Sequence, residues 1–474
     1  MTTAPADLSH LSPAGRAPEH LPAVPAEQVE ALAAELRTLL GDTGVSDEAA
    51  ALDRASVDGA EMSPVVKDLL PLGRAQLVAY PKDAEQIAAV VGAAVRHGVP
   101  VTVRGKGTGN YGQAIPMAGG LVLDTTRARS VVEVGEGYLV ADAGAPIVQL
   151  EQAAMRSGQQ LLMYPSTVQS TLGGFVSGGS GGTGSIKHGM LHNDFVTSLD
   201  VVHAVPDAEL IHLEGKETEA YLHNYGTAGV IARIGVALEP AQDWRAFYAS
   251  FEDVHDAFGL IRQISALEPT PRLVSADGPR ITAALPADEA LPADRSSLRA
   301  ILDAATVEAA TALVEAAGGT VEAVREGLQQ TMKLSTISYN HPIEWLMKSS
   351  PDERWFHVEV SGDSLVDRLD EVQEVYPGAL LHIEGQAGRP IGMLAAPYTS
   401  SADVWPGFER LVALEVGFHN PHQWYVDYQP DAVRAMAPVN DPHGLLNPGK
   451  LAEPTVWTGA GSKMVVPMPD LDAE

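Results

Sequence analysis

Thr171-Leu-Gly-Gly-Phe-Val-Ser-Gly-Gly-Ser-Gly-Gly-Thr-Gly-Ser-Ile-Lys-His-Gly189 is the stretch on which the fold turns. Eight of its nineteen residues are glycine, and its only basic side chains are Lys187 and His188. A second glycine cluster, Arg104-Gly-Lys-Gly-Thr-Gly-Asn-Tyr-Gly112, follows the apolar run Val99–Val103. Glycine at this density marks backbone that approaches a ligand closely or holds a positive φ. Consecutive N–H groups can then converge on an anion. Two such loops suit one extended polyanion gripped twice, and a dinucleotide is the expected occupant. Flexible linkers are the bland alternative. Against it stand the interleaved Leu172, Phe175, Val176 and Ile186, and the strand-like run Phe195–Val205 that follows.

Gly107-Thr-Gly109-Asn-Tyr-Gly112 also matches the G-x-G-x-x-G pattern. That fingerprint requires a helix to open at the motif and an acidic residue about 20 positions on. Here Gln113-Ala-Ile-Pro116 leads into Gly119-Gly120 and a further strand, Leu121–Leu123, and Asp124 comes too early. A nicotinamide-type Rossmann unit is therefore not expected.

The ordered set of motifs resembles the vanillyl-alcohol oxidase / p-cresol methylhydroxylase (PCMH-type) superfamily of FAD-linked oxidases. Val101–Gly109 with Gly119-Gly-Leu-Val-Leu-Asp124 looks like its first flavin-binding segment. Tyr164-Pro-Ser-Thr167 with Thr171-Leu-Gly-Gly174 looks like the second, Tyr225-Gly-Thr-Ala-Gly-Val-Ile-Ala232 like the element closing the FAD domain, and Asp441–Lys450 like the usual C-terminal ending. In motifs the chain is nearest the glycolate oxidase / D-lactate dehydrogenase-like branch. The resemblance implies an α+β fold: a two-part PCMH-type FAD-binding domain with an inserted α+β substrate (cap) domain. It places a disordered arm and helix at 1–45, the FAD domain at 46–240, the cap at 241–424 and a returning segment at 425–474.

It also implies the cofactor contacts. Arg104, Gly105, Lys106, Gly107, Thr108 and Gly109 come from the first loop, and Pro165, Ser166, Thr171, Gly173, Gly174 and Ser177 from the second. Gly229, Ile231 and Asn447 complete the set. The amides around Gly105–Gly109 and Gly173–Gly174 are suited to the pyrophosphate, while Arg104 serves either the flavin or a structural ion pair. Some relatives attach FAD through His or Cys; here Thr108 stands at the usual histidine position and the chain has no cysteine, so FAD is expected to be non-covalent.

The chain has 474 residues, enough for two or three domains. A net charge of −30 argues against nucleic-acid or anionic-membrane partners. No apolar run approaches the roughly 20 residues of a membrane span, and the Pro- and Ala-rich start lacks a signal-peptide pattern. Zero cysteines exclude disulfides and thiolate or iron–sulfur ligation within this chain. Cytoplasmic residence is the default expectation, and a homodimer is left open.

Helical spacing of Ile87, Val90, Val91 and Ala94 predicts a helix before the strand at Val101, and Pro146–Gly158 fits another. Near Pro240 the pattern changes to strand, helix, strand, strand, twice over, which suggests an α+β sheet with helices on one side. Three polar clusters stand out there: Tyr339-Asn-His-Pro-Ile-Glu-Trp345, Leu381-His-Ile-Glu-Gly385 and His419–Tyr428. Each could supply a base that takes an alcohol proton while flavin takes the hydride. The expected order is His422, then His341, then Glu384 with His382, with Tyr339 and Tyr425 as orienting hydroxyls. The family's hydroxy-acid metal elements, His-Gly-Asp-Gly-Asn-x-His and Gly-Glu-His-Gly, are absent, so no metal is expected.

The expected function is FAD-dependent oxidation of a CH–OH group in a small-molecule substrate (an alcohol, sugar-like compound or hydroxy acid), with oxygen or a redox partner as electron acceptor. Phenolic side-chain oxidation and a flavin-binding electron-relay subunit are the alternatives.

Overall fold

The computed structural model describes residues 24–59, 63–64, 73–386, 389–419, 421–422, 424–426 and 428–451. Residues 1–23 of the arm expected within 1–45, and residues 452–474 of the returning segment, lie outside the described residues.

Asp83 accepts a hydrogen bond from the Gln86 amide at 2.7 Å and starts the helix Ala84–Arg96. Ile87, Val90, Val91 and Ala94 are fully buried along one face of it. Gly98 takes φ +64° where the chain turns towards the strand Val101–Arg104. That strand pairs in parallel with Leu121–Asp124, and Leu121–Asp124 in parallel with Leu77–Ala79; Val45–Ser46 closes this four-stranded sheet antiparallel. Between Arg104 and Gly119 no helix opens, in keeping with the rejected Rossmann reading.

A second, antiparallel sheet runs Val131–Gly135, Tyr138–Asp142, Val230–Pro240, Val196–Val202, Leu210–Glu214, with Gln159–Leu161 on the far end of its long central strand. The stretch expected as one glycine loop is partly helical. Thr171 accepts from the Gly174 amide and caps a helix Leu172–Gly178, and a shorter one spans Ser185–His188. The apolar residues interleaved with the glycines explain this, because Leu172, Phe175, Val176 and Ile186 are all buried.

From Trp244 onward the chain builds an eight-stranded antiparallel sheet. Its order is Thr320–Glu326, Trp244–Phe251, Ser296–Asp303, Leu273–Asp277, Leu380–Gln386, Arg389–Pro397, Trp355–Ser361, Gly417–His419. In the strand Trp244–Phe251, Phe247, Ala249 and Phe251 enter one core with helices Val254–Ser265, Val307–Ala316 and Ser401–Ala413. Ala246 and Tyr248 face the opposite core with Leu334, Ile337 and Tyr339. The expectation of helices on one side is thus corrected. Both faces of these strands are apolar, so both must be covered, and helices Leu328–Ser335 and His341–Ser349 pack on the second face. That second layer carries Tyr339–His341 towards the first two sheets.

The C-terminal segment returns to the four-stranded sheet. The Val101 amide donates to the Leu445 carbonyl at 2.7 Å, and the Asn447 amide to the Val101 carbonyl at 2.8 Å. No helix among the described residues is long and apolar enough to cross a membrane.

Candidate functional site

Both glycine clusters, the second sheet and the Tyr339–Glu344 layer of the third border one cavity of about 1180 Å³. Ordinary small-molecule sites occupy roughly 300–1,000 Å³, so this one has room for a dinucleotide and a small second ligand together. Arg104–Gly109, Pro165, Ser166, Thr171, Gly173, Gly174, Ser177 and Ile231 all line it. The two clusters meet: Thr108 Oγ1 lies 2.9 Å from Ser170 Oγ, and Gly105 abuts the Thr171 hydroxyl.

Gly229 and Asn447, expected on the wall, are not there. Gly229 holds φ +155° against the Tyr221 ring. Asn447 is buried, and its side-chain amide donates to the carbonyls of Gln113 (3.0 Å) and Tyr225 (2.9 Å), tying two wall segments together from behind.

The anticipated amide donors at Gly173 and Gly174 are also corrected. The Gly173 N–H donates to the Ala143 carbonyl at 2.7 Å and the Gly174 N–H to Thr171 Oγ1 at 3.2 Å. What this helix offers is clearance. A Cβ on Gly174 would meet only Thr171 Oγ1 at 2.9 Å, and one on Gly178 nothing within 4 Å. Arg104 folds back beneath its own loop, donating to the Val57 carbonyl at 2.5 Å. Burial lowers its pKa, with Asp58 and Asp124 opposing.

His341 opens its helix after two residues in left-handed conformation, Tyr339 (φ 44°) and Asn340 (φ 71°). Its Nδ1 is 2.5 Å from Ser166 Oγ and its Nε2 3.1 Å from Glu344 Oε2, and all three residues line the cavity. Burial pushes the imidazole pKa down, against the pull of Glu344. The ring is therefore neutral near pH 7 and able to take a proton. Asn340 Oδ1, in another wall residue, is buried without a hydrogen-bond partner among the described residues, which fits a ligand that donates to it.

His382 and Glu384 do not reach the cavity. Arg299 pairs with Asp277, Asp277 Oδ1 lies 2.8 Å from His382 Nδ1, and His382 Nε2 lies 2.8 Å from Glu384 Oε1. Glu384 in turn accepts the Tyr339 N–H. All four side chains of this chain are at most 1% exposed. Burial works against the His382 charge, but Asp277 and Glu384 outweigh it and raise the pKa to about 9. The chain is a fixed ionic strut behind the Tyr339–His341 turn.

His422, ranked first from sequence, is also off the wall. It is fully buried, its Nδ1 is 2.6 Å from Ser63 Oγ, and the Phe356 ring lies 6.1 Å away. Its neighbours His419 and Pro421 face the cavity instead. Tyr425 is buried edge-on to Trp424 at 5.8 Å, likewise away from the cavity. Of the six residues expected in catalysis, His341 and Tyr339 alone reach the wall.

Sequence reasoning passed over several wall residues. Glu344 sat within a quoted cluster, and its i,i+3 spacing from His341 was legible. Tyr111, in the first glycine cluster, places its hydroxyl 2.8 Å from His357 Nε2. His192 stacks on Tyr428 at 3.9 Å, and His223 flanks them at 5.6 Å from Tyr428; no local pattern joins these three. Among the described residues no group of three His, Cys, Asp or Glu could hold a metal ion.

Residues 75–214 match the FAD binding domain family. Over 200 residues the chain is 29% identical to a D-lactate dehydrogenase of Archaeoglobus fulgidus, covering 40% of this chain and 44% of that protein. Over 207 residues it is 27% identical to a glycolate oxidase subunit of Bacillus subtilis, covering 41% and 43%. The match thus spans less than half the length of either relative. In structure it is similar to substrate-bound p-cresol methylhydroxylase, with a TM-score of 0.60 and 16% identity over 91% of this chain and 98% of that one.

Proposed function

We propose that this chain, whose residues 75–214 match the FAD binding domain family, is a PCMH-type FAD-dependent oxidoreductase that oxidises a CH–OH group of a small alcohol, sugar-like compound or hydroxy acid. The FAD domain would comprise residues 46–240 with 425–474, and the cap residues 241–424. FAD, when bound, accepts a hydride from the substrate carbon. The amides of Gly105–Gly109 and the hydroxyl of Thr108 are suited to its pyrophosphate, and the open glycine face at Gly174 and Gly178 lets it approach the helix. Thr108 offers no nucleophile for attachment and the chain has no cysteine, so FAD is held non-covalently. His341, neutral and on the wall, accepts the proton that the hydroxyl loses as hydride departs. One observation carries the reading: His341 and the glycine-lined wall share one cavity. The matches to D-lactate dehydrogenase and a glycolate oxidase subunit favour a CH–OH donor.

The test is anaerobic bleaching of the bound flavin with a panel of alcohols, 2-hydroxy acids, sugars and phenols. Reduction by a CH–OH compound and release of free FAD on acid denaturation are the expected results. Reduction by phenols alone, or flavin retained on the denatured chain, would contradict the reading.

A further inference from the structure

The two sides of the cavity differ in chemistry. Among the described residues, the Lys and Arg side chains on its wall are Arg104, Lys106 and Arg434. The first two belong to the glycine loop suited to the pyrophosphate, and Arg434 pairs with Asp431 on the helix Pro430–Asn440. The side built by the eight-stranded sheet and the helix His341–Ser349 contributes none of them; its acidic wall residues are Glu344 and Glu359. Resting on the function proposed above, we infer that the substrate is a neutral polyhydroxylated compound, recognised through its hydroxyl hydrogens, and not a 2-hydroxy acid.

Hydrogen-bond complementarity carries the inference. Asn340 Oδ1 is buried on this side without a hydrogen-bond partner among the described residues, and a carboxylate such as Glu344 only accepts. Sheet register sets Glu359 between Met393 and His419, and all three line the cavity. A simple alcohol brings one hydroxyl hydrogen, and that one leaves towards His341. Further hydroxyls are needed to donate to Asn340 and the carboxylates. A 2-hydroxy acid would instead set another acceptor-only group against them, leaving Asn340 Oδ1 unsatisfied and adding like-charge repulsion. An ammonium group is not called for either. Lys348 Nζ already lies 2.5 Å from Glu344 Oε1, and His419 Nδ1 2.9 Å from Glu359 Oε2. An anion beside Tyr339 is disfavoured in the same way: burial raises the pKa of its hydroxyl, a hydrogen bond with Ser185 opposes the rise, and Glu384 and Glu359 add to it.

The test uses the FAD-loaded protein and pairs of compounds that differ only in CH2OH against carboxylate: 1,2-propanediol and lactate, glycerol and glycerate, sorbitol and gluconate. Anaerobic stopped-flow mixing reads flavin reduction. Calorimetry on protein whose flavin has been reduced beforehand reads binding without turnover. The neutral member of each pair should reduce the flavin and bind about 10-fold more tightly than the acid, and affinity should rise from 1-propanol through 1,2-propanediol to glycerol. Glu344→Gln and Glu359→Gln should each weaken the neutral member and strengthen the acid, narrowing that preference, whereas a merely structural role would weaken both. Acids that reduce and bind as well as their neutral partners would overturn the inference and leave the proposed function standing. Amino alcohols as the sole reductants, or variants that shift both members in one direction, would overturn it equally. If no CH–OH compound reduces the flavin, the proposed function falls, and the inference that rests on it falls with it.

Discussion

His341 and His382 were matched candidates in the sequence, each with a glutamate close by, and they lie side by side in space. The Asn340 amide nitrogen is 3.2 Å from His382 Nε2. Their surroundings differ in the number of carboxylates. His341 meets one, itself partly exposed, and a hydroxyl; burial prevails and the ring stays neutral. His382 lies between two fully buried carboxylates, which prevail over burial and hold the proton up to about 9. The first is fitted to receive a proton, while the carboxylates around the second favour its protonated form. The lesson is that a His–carboxylate spacing marks a cluster, while the count of partners and their exposure assign its role.

The sharpest way to break this contrast is His382→Gln, which leaves Asp277 and Glu384 buried without their shared cation. Loss of one partner from such a group costs about 3–5 kcal/mol. The folded-state pKa of about 9 lies above the ordinary 6.5. The stabilisation is therefore complete below pH 6.5 and is lost as pH rises through about 9. Urea unfolding of parent and variant should give a gap that narrows across that window; a gap independent of pH would show that His382 is not charged.

Smaller effects separate the two glycines of the second loop. A Cβ on Gly173 would fall 2.7 Å from the Ala143 Cβ, so Gly173→Val should destabilise the fold by about 1–3 kcal/mol. Gly174→Val, whose Cβ would crowd only the capping Thr171 hydroxyl at 2.9 Å, should cost less stability than Gly173→Val and bind less FAD; full flavin content in Gly174→Val would mean the ligand does not lie on that face. Thr171→Ala removes the cap on the same helix and should cost about 1 kcal/mol, measurable as a lowered melting temperature. The smallest expected effect is none at all: chelator treatment should leave flavin reduction unchanged, and activity regained with zinc or manganese would refute that.

Much of the frame was legible because it is local. The glycine clusters, the Asp83-capped helix with its Ile87–Ala94 face, and the strand runs on either side of Pro240 are each written within a dozen or so residues. The partly helical second cluster could have been anticipated from Thr171 standing before an apolar-spaced segment, the usual sign of a cap. The site's polarity was not legible, because it depends on distant pairings. His341 faces Ser166, 175 positions away, and the His382 pKa is raised because sheet register sets it opposite Asp277. His422 sat beside the right segment, but Ser63 and the Phe356 ring bury it on the other side of the cavity wall.

The most direct test of the account is stopped-flow flavin reduction in His341→Ala and His422→Ala, each loaded with FAD and mixed anaerobically with a compound that reduces the parent. The cavity geometry predicts a loss of about 10²–10⁴-fold for His341→Ala and the parental rate for His422→Ala. A slow His422→Ala beside a fully active His341→Ala would contradict it.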